Sequence, residues 1–171
     1  MPDFPELQAA IMAPGFPWYY ARGTRVDDGN VNPYLYGWVH MVFDKGNWYS
    51  EQAGLITHKV AGLFRALNEP VENILRLRIV MNTISDQPYL NGAHVDFVYP
   101  HKTALLYIND SDGDTVIYKE QWKDGVPEKL TVAQTVPAVA NRVFLFDGLH
   151  LHTGTTPAKT ARRIVLNINY D

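Results

Sequence analysis

Cysteine is absent from the 171 residues. That excludes a disulfide scaffold, a Cys-ligated zinc site and a cysteine nucleophile. Any metal has to be held by His and carboxylate, and the absence fits a reducing compartment. A basic excess is also missing: 15 Lys and Arg stand against 18 Asp and Glu, for a net charge of −3. Nucleic-acid binders usually show the opposite balance. No apolar run approaches the roughly 18 residues of a transmembrane helix. The stretch from Met1 to Tyr20 lacks the basic and apolar regions of a signal peptide. The expectation is a soluble, cytoplasmic protein with no nucleic-acid or membrane partner, its oligomeric state left open. There is no internal repeat, no low-complexity segment and no G-x-S-x-G elbow, so a hydrolase triad has little support.

Hydrophobic residues make up 46% of the chain and aromatics 12%, with ten Tyr and four Trp. This leans towards β structure around a lined cavity. The length predicts one domain spanning residues 1–171. Residues 1–34, rich in Pro, Gly, Asp and Asn, read as irregular chain wrapping a body. Tyr36 to Phe43 is a candidate strand closed by a Gly46-Asn47 turn. Ser50 is a candidate N-cap for a helix to about Asn68, with Leu55, Ile56, Val60, Leu63, Phe64 and Leu67 at helical spacing and Pro70 as the stop.

From residue 74 the pattern turns to β. The runs are 74–84, 94–98, 103–109, 115–119, 129–135, 142–146, 149–153 and 162–169, divided by turns such as Asp112-Gly113, Asp124-Gly125 and Asp147-Gly148. A helix followed by about eight strands predicts a mainly β fold with a flanking helix. Its core is a double-stranded β-helix (a jelly roll, cupin-like) over residues 74–171, with residues 1–73 as wrap and supporting helix. A plain β-sandwich has the same strand count.

The sharpest local feature is His94-Val95-Asp96. In a strand, positions i and i+2 share a face, so imidazole and carboxylate would project together. By itself H-x-D is a weak signal. Further on, His152 lies in Phe146-Asp147-Gly148-Leu149-His150-Leu151-His152-Thr153-Gly154. Two His and one carboxylate with open positions form the facial triad of non-haem Fe(II) oxygenases. Downstream, Arg162-Arg163 opens a last strand, and an arginine fork suits a dicarboxylate anchored at its far end. Asp110-Ser111-Asp112-Gly113-Asp114 lacks the glycine and glutamate of a calcium loop and reads as a tight acidic turn. His40, His58 and His101 have no partner in the sequence pattern and read as structural.

On these residues the chain resembles short Fe(II)- and 2-oxoglutarate-dependent dioxygenases of the prolyl 4-hydroxylase-like kind. The family pattern is H-x-D, a distal His and then a basic residue, matched by His94, Asp96, His152 and Arg162 or Arg163. The stretches "AHVDF", "LLYINDSDGDTVIY", "LFDGLHLHTGTTP" and "RRIVLNINY" carry the likeness, over about residues 74–171. It implies that Fe(II) is held by His94, Asp96 and His152, and that 2-oxoglutarate and O2 are co-substrates. An unactivated C–H, in the nearest family flavour that of a peptidyl proline, is then hydroxylated with release of succinate and CO2. Free amino acids, other protein side chains and small metabolites stay open as substrates.

Of the neighbouring candidates, the His-Thr-Gly pattern favours His152 over His150, which reads as a rim residue. The Arg163 face continues with Val165, Asn167 and Asn169, fit for a polar cavity. The Arg162 face continues with Ile164, Leu166 and Ile168, fit for packing. Arg163 is therefore favoured for the 2-oxoglutarate carboxylate, with Arg162 as its competitor. Tyr107, by resemblance, hydrogen-bonds the same carboxylate, and Asn82 lines the same pocket. Trp18, Tyr19, Tyr20, Tyr34 and Tyr36 are read mainly as packing of the wrap, with a substrate wall as the alternative. The competing functional readings are a cupin-type metal enzyme without 2-oxoglutarate and a non-catalytic jelly-roll binding module.

Overall fold

The computed structural model describes residue 1, residues 3–22 and residues 36–171. Its elements run α1 (Phe4–Met12), β1 (Tyr19–Arg22), β2 (Tyr36–Asp44), β3 (Asn47–Trp48), α2 (Ala53–Leu67), β4 (Ile74–Thr83), β5 (Lys102–Tyr107), β6 (Ser111–Gln121), β7 (Val132–Ala138), β8 (Val143–Asp147), β9 (His150–Gly154) and β10 (Arg162–Tyr170). Two antiparallel sheets result. The larger has the order β1-β2-β4-β10-β5-β8, with β3 on β2, and the smaller β7-β6-β9. Single bridges from Leu90 to Thr155 and from His94 to His152 continue the smaller sheet beyond β9. This is the double-stranded β-helix that the strand pattern predicts, with helices against one sheet.

Period-2 alternation sorts the side chains. On the outer face of the larger sheet, Leu77, Ile79 and Met81 of β4 and Ile164, Leu166 and Ile168 of β10 are buried. They form one core with Phe4, Leu7 and Ile11 of α1 and Ile56, Val60, Leu63 and Phe64 of α2. Each such buried side chain contributes roughly 1.5–3 kcal/mol, so it is the sheet that holds the helices in place. The buried Lys59 of α2 pairs with Glu6 and Asp3, tying the helices to each other. Between the sheets lies a second cluster, with Leu105, Tyr107, Val136, Ala138 and Val165, whereas a third, with Val116, Tyr118 and Leu151, packs on the face of β6 and β9 opposite to Thr115 and His152.

Several local expectations are corrected. The segment read as irregular wrap contains α1 and β1. Phe4, Leu7 and Ile11 recur at helical spacing, and Pro5 sits in the first turn, where its missing N–H costs nothing. Tyr20 packs near Tyr36 and Trp38 on the β1–β2 edge, whereas Tyr34 lies outside the described residues. Ser50 does not cap α2, whose N-cap position is Gln52. The Ser50 hydroxyl instead accepts from the Gln52 N–H at 2.9 Å and bonds His40 at 2.7 Å. The helix ends with Asn68 in the left-handed region, φ 52°, ahead of Pro70.

Asp112-Gly113 is not a turn either, because β6 runs through it. The Asp112 carboxylate accepts the backbone N–H groups of Ala158, Lys159 and Thr160 at 2.8–3.0 Å, stapling the loop that leads into β10. Burial opposes its ionisation. The Thr160 hydroxyl and these amides outweigh burial and hold its pKa below the usual carboxylate range. Among the described residues no helix is long and apolar enough to cross a membrane.

Candidate metal centre

His94 and Asp96 do not lie on a regular strand, contrary to the expectation of one over 94–98. His94 is fixed by a single bridge: its N–H donates to the His152 carbonyl and its carbonyl accepts from the His152 N–H, both at 3.0 Å. The backbone thus brings the first and second His of the sequence pattern side by side, ring centroids 4.6 Å apart. Ligand atoms of His94, Asp96 and His152 all lie within 4.8 Å of one another.

The second nitrogen of each ring sets the tautomer. His152 Nδ1 faces the His150 carbonyl at 3.0 Å, and His94 Nδ1 faces the Gly92 carbonyl at 3.2 Å. An Nδ1–H donated to a carbonyl leaves Nε2 as the basic nitrogen, the form that ligates a metal. His152 Nε2 lies 3.9 Å from Asp96 Oδ2. Phe146 stands edge-on to the His152 ring at 5.0 Å and limits its rotation.

Asp96 is held from the opposite sheet. Its side chain is 1% exposed. Oδ1 receives Arg78 Nη2 at 2.5 Å and lies 2.7 Å from Arg76 Nη2. Oδ2 accepts from the Nδ2 groups of Asn167 and Asn169, each at 2.9 Å. Burial opposes ionisation, but Arg78, His152 and Arg76 outweigh it and keep the carboxyl well below its ordinary range. Asp96 is therefore an oriented carboxylate whose Oδ2 faces His152.

Arg163 occupies the far end of the same cavity, whose lining includes His94, His152, Asn82, Thr115, Val165 and Asn167. It is 6% exposed. Nε donates to the Gly113 carbonyl at 2.9 Å and Nη2 to the Thr115 hydroxyl at 2.6 Å. The guanidinium lies 5.6 Å from the Tyr107 ring centroid, and Tyr107 donates its hydroxyl proton to Thr115 at 2.7 Å. Burial lowers the Arg163 pKa and raises that of Tyr107. Among the described residues no carboxylate forms an ion pair with Arg163. A buried guanidinium without a carboxylate calls for an anion.

Of the other candidates, Asn82 lines the cavity opposite Arg163 in register. Tyr107 supports the arginine through Thr115. Arg162 pairs with Thr83 on the other face and is not in the cavity lining. His150 is turned to the Tyr118 carbonyl at 3.0 Å and is outside the triad. His40 is bonded to the Pro17 carbonyl and Ser50, and burial lowers its pKa.

Sequence reasoning missed Arg76, Arg78 and Thr115. The signal for the arginines was present: in Arg76-Leu77-Arg78-Ile79-Val80-Met81-Asn82, both charges share the face of Val80 and Asn82. Gly113 was missed as a packing position. A Cβ there would meet the Thr155 carbonyl oxygen at 2.7 Å and Arg163 Cδ at 2.9 Å. Gly113→Ala is expected to cost about 1–3 kcal/mol in urea unfolding and to displace Arg163.

Solved structures share this fold. An oxidoreductase of the 2OG-Fe(II) oxygenase family from Burkholderia pseudomallei superposes with a TM-score of 0.63 at 16% identity, over 91% of this chain and 73% of that one. The non-heme alpha ketoglutarate dependent epimerase SnoN from nogalamycin biosynthesis gives 0.61 at 14% identity, over 99% of this chain and 72% of that one. A prolyl hydroxylase from Trichoplax adhaerens, solved with a hypoxia inducible factor peptide fragment, gives 0.51 at 12% identity, over 78% of this chain and 62% of that one. No protein-family model and no curated protein sequence matches the chain. The double-stranded β-helix of this chain is thus the fold of these three solved structures.

Proposed function

We propose that this protein is an Fe(II)- and 2-oxoglutarate-dependent oxygenase that hydroxylates an unactivated C–H bond and releases succinate and CO2. The observation that carries the reading is the placing, beside one cavity, of a His-carboxylate-His set and a buried arginine that has no carboxylate ion pair among the described residues. The donor set fits Fe(II): two imidazoles and one carboxylate would hold the ion and leave positions open. The arginine fits the distal carboxylate of a short dicarboxylate.

Iron, 2-oxoglutarate and O2 supply the oxidation. The chain's own residues supply the geometry. His94 and His152 present Nε2 because backbone carbonyls hold their Nδ1 protons. Arg78, Asn167 and Asn169 orient the Asp96 carboxylate. Arg163, held by Gly113 and Thr115 and backed by Tyr107, anchors the 5-carboxylate. The apolar side chains Val80, Leu105 and Val165 line the cavity and limit water there.

Anaerobic titration of the metal-free protein with Fe(II) and 2-oxoglutarate tests the reading. A weak visible charge-transfer band that needs both components is expected. Iron binding without the band would transfer the assignment to a cupin-type metal enzyme. Peptidyl proline is the substrate class that the sequence resemblance brings with it. A proline peptide that raises succinate release above the uncoupled background would support that finer reading.

A further inference from the structure

The cavity holds a second cation that the co-substrate leaves unmatched. The β4–β10 register pairs Asn82 with Arg163, Val80 with Val165, Arg78 with Asn167 and Arg76 with Asn169. Arg78 therefore stands four residues along the paired strands from the level of Arg163, or about 13 Å. Arg163 defines one end of the cavity, and Arg78 stands beside Asp96 at the other.

The two β4 arginines are not equivalent. Arg76 has the more partners, although its Nη2, 2.7 Å from Asp96 Oδ1, is also buried without a hydrogen bond. Its guanidinium lies 4.6 Å over Phe97, its Nε donates to Asn169 Oδ1 at 3.2 Å, and Asp44 faces it across the β2–β4 register. Arg78 has only Asp96 as an ion-pair partner among the described residues, through Nη2. Its Nε is buried with no hydrogen-bond partner. So is Oδ1 of Asn167, its register partner. Both residues line the cavity beside His94 and His152.

Asp96 cannot neutralise Arg78 once the centre is loaded. Its Oδ1 is already shared by two arginines, and a divalent cation on Oδ2 would draw on the same charge. Asp44 and Asp114, the other carboxylates near the cavity arginines, are not in its lining. The 2-oxoglutarate charges are matched by Arg163 and the metal. Arg78 is then a buried donor in need of an acceptor.

We infer that the substrate carries a carboxylate that docks on Arg78 beside the metal triad, an inference that rests on the oxygenase reading above. The unpartnered Asn167 Oδ1 takes an O–H or N–H from the same molecule, so an acid with a neighbouring hydroxyl or amino group uses both atoms. Arg78 thereby selects anionic over neutral substrates.

The side-chain ¹H–¹⁵Nε spectrum of the arginines reads this directly, in protein loaded with Zn(II) and saturated with 2-oxoglutarate. Propionate is the probe and propionamide its neutral counterpart. Propionate is expected to shift the Arg78 Nε–H saturably, and propionamide to leave it in place. Arg78→Lys keeps a cation on Asp96 but loses the planar fork. It is expected to weaken propionate by about tenfold or more at saturating Zn(II).

An equal response to both probes overturns the inference. So does 2-oxoglutarate alone shifting the Arg78 signal and blocking propionate, since Arg78 would then belong to the co-substrate. If propionate shifts Arg78 while 2-oxoglutarate shifts no arginine, the anion site stands and the oxygenase reading falls. A tripeptide amide bearing one aspartate, run beside propionate, tells a free acid from an acidic side chain. A response to either supports the site, and the tighter binder names the source.

Discussion

Asp96→Ala is expected to damage the fold and the metal site together. The carboxylate is buried and serves Arg76, Arg78, Asn167 and Asn169 at once. Its removal leaves two guanidinium groups between the sheets without their common counter-charge. Breaking a buried pair in this way costs about 3–5 kcal/mol. The metal site loses its only anionic donor in the same step. Urea unfolding of the metal-free variant should show the stability loss, and calorimetry with Zn(II) or Fe(II) the loss of binding. His152→Ala separates the two effects, because it removes a ligand and leaves the arginine–carboxylate contacts intact. A metal-free Asp96→Ala protein as stable as the parent would mean that the arginines reach water, against the exposures of 13% and 17% of their side chains.

Arg163→Gln carries the second large effect, and it falls on the co-substrate. The guanidinium is held by Gly113 and Thr115 with Tyr107 beside it, so its position is set before any ligand arrives. Truncating one partner of a buried, hydrogen-bonded charge pair costs about 2–5 kcal/mol. That corresponds to a loss of roughly 30-fold to several thousand-fold in 2-oxoglutarate affinity. Metal affinity should stay close to that of the parent, since Arg163 is not in contact with the triad. Arg162→Ala should change 2-oxoglutarate binding by less than about threefold, because its side chain lies on the other face of β10. Anaerobic calorimetry on both variants checks the pair. An Arg162→Ala protein that loses 2-oxoglutarate while Arg163→Gln keeps it would reverse the assignment.

The difference between Arg162 and Arg163 was legible before any coordinates, because strand alternation is a local property. Ile164, Leu166 and Ile168 fill one face of β10, while Arg163, Val165, Asn167 and Asn169 fill the other. The structure places the first set against the helices and the second between the sheets. The two His of the triad were legible for a related reason, as side chains flanked by recognisable text. The strand over 94–98 was a wrong extension of the same rule. His94 is fixed by one bridge to His152, and that contact spans too much chain to leave a local periodicity. The helix α1 was hidden by Pro5 and by the prolines at positions 2, 14 and 17 around it, although Phe4, Leu7 and Ile11 already marked its buried face. The acidic run at 110–114 misled for another reason. Asp112 looks like a turn residue, yet its acceptors serve the distant amides of Ala158, Lys159 and Thr160.

By itself the sequence determined which residue types share a strand face in β4 and β10 and that only His and carboxylate could hold a metal. Each of these follows from backbone geometry over a few neighbouring residues. Only the tertiary structure decided that Arg76 and Arg78 close on Asp96, that Arg163 is buried with no carboxylate ion pair among the described residues, and that Arg78 keeps an unused donor beside the triad. Those outcomes depend on register between strands remote in the chain and on how far water is excluded between two sheets. Neither is a property of any short segment.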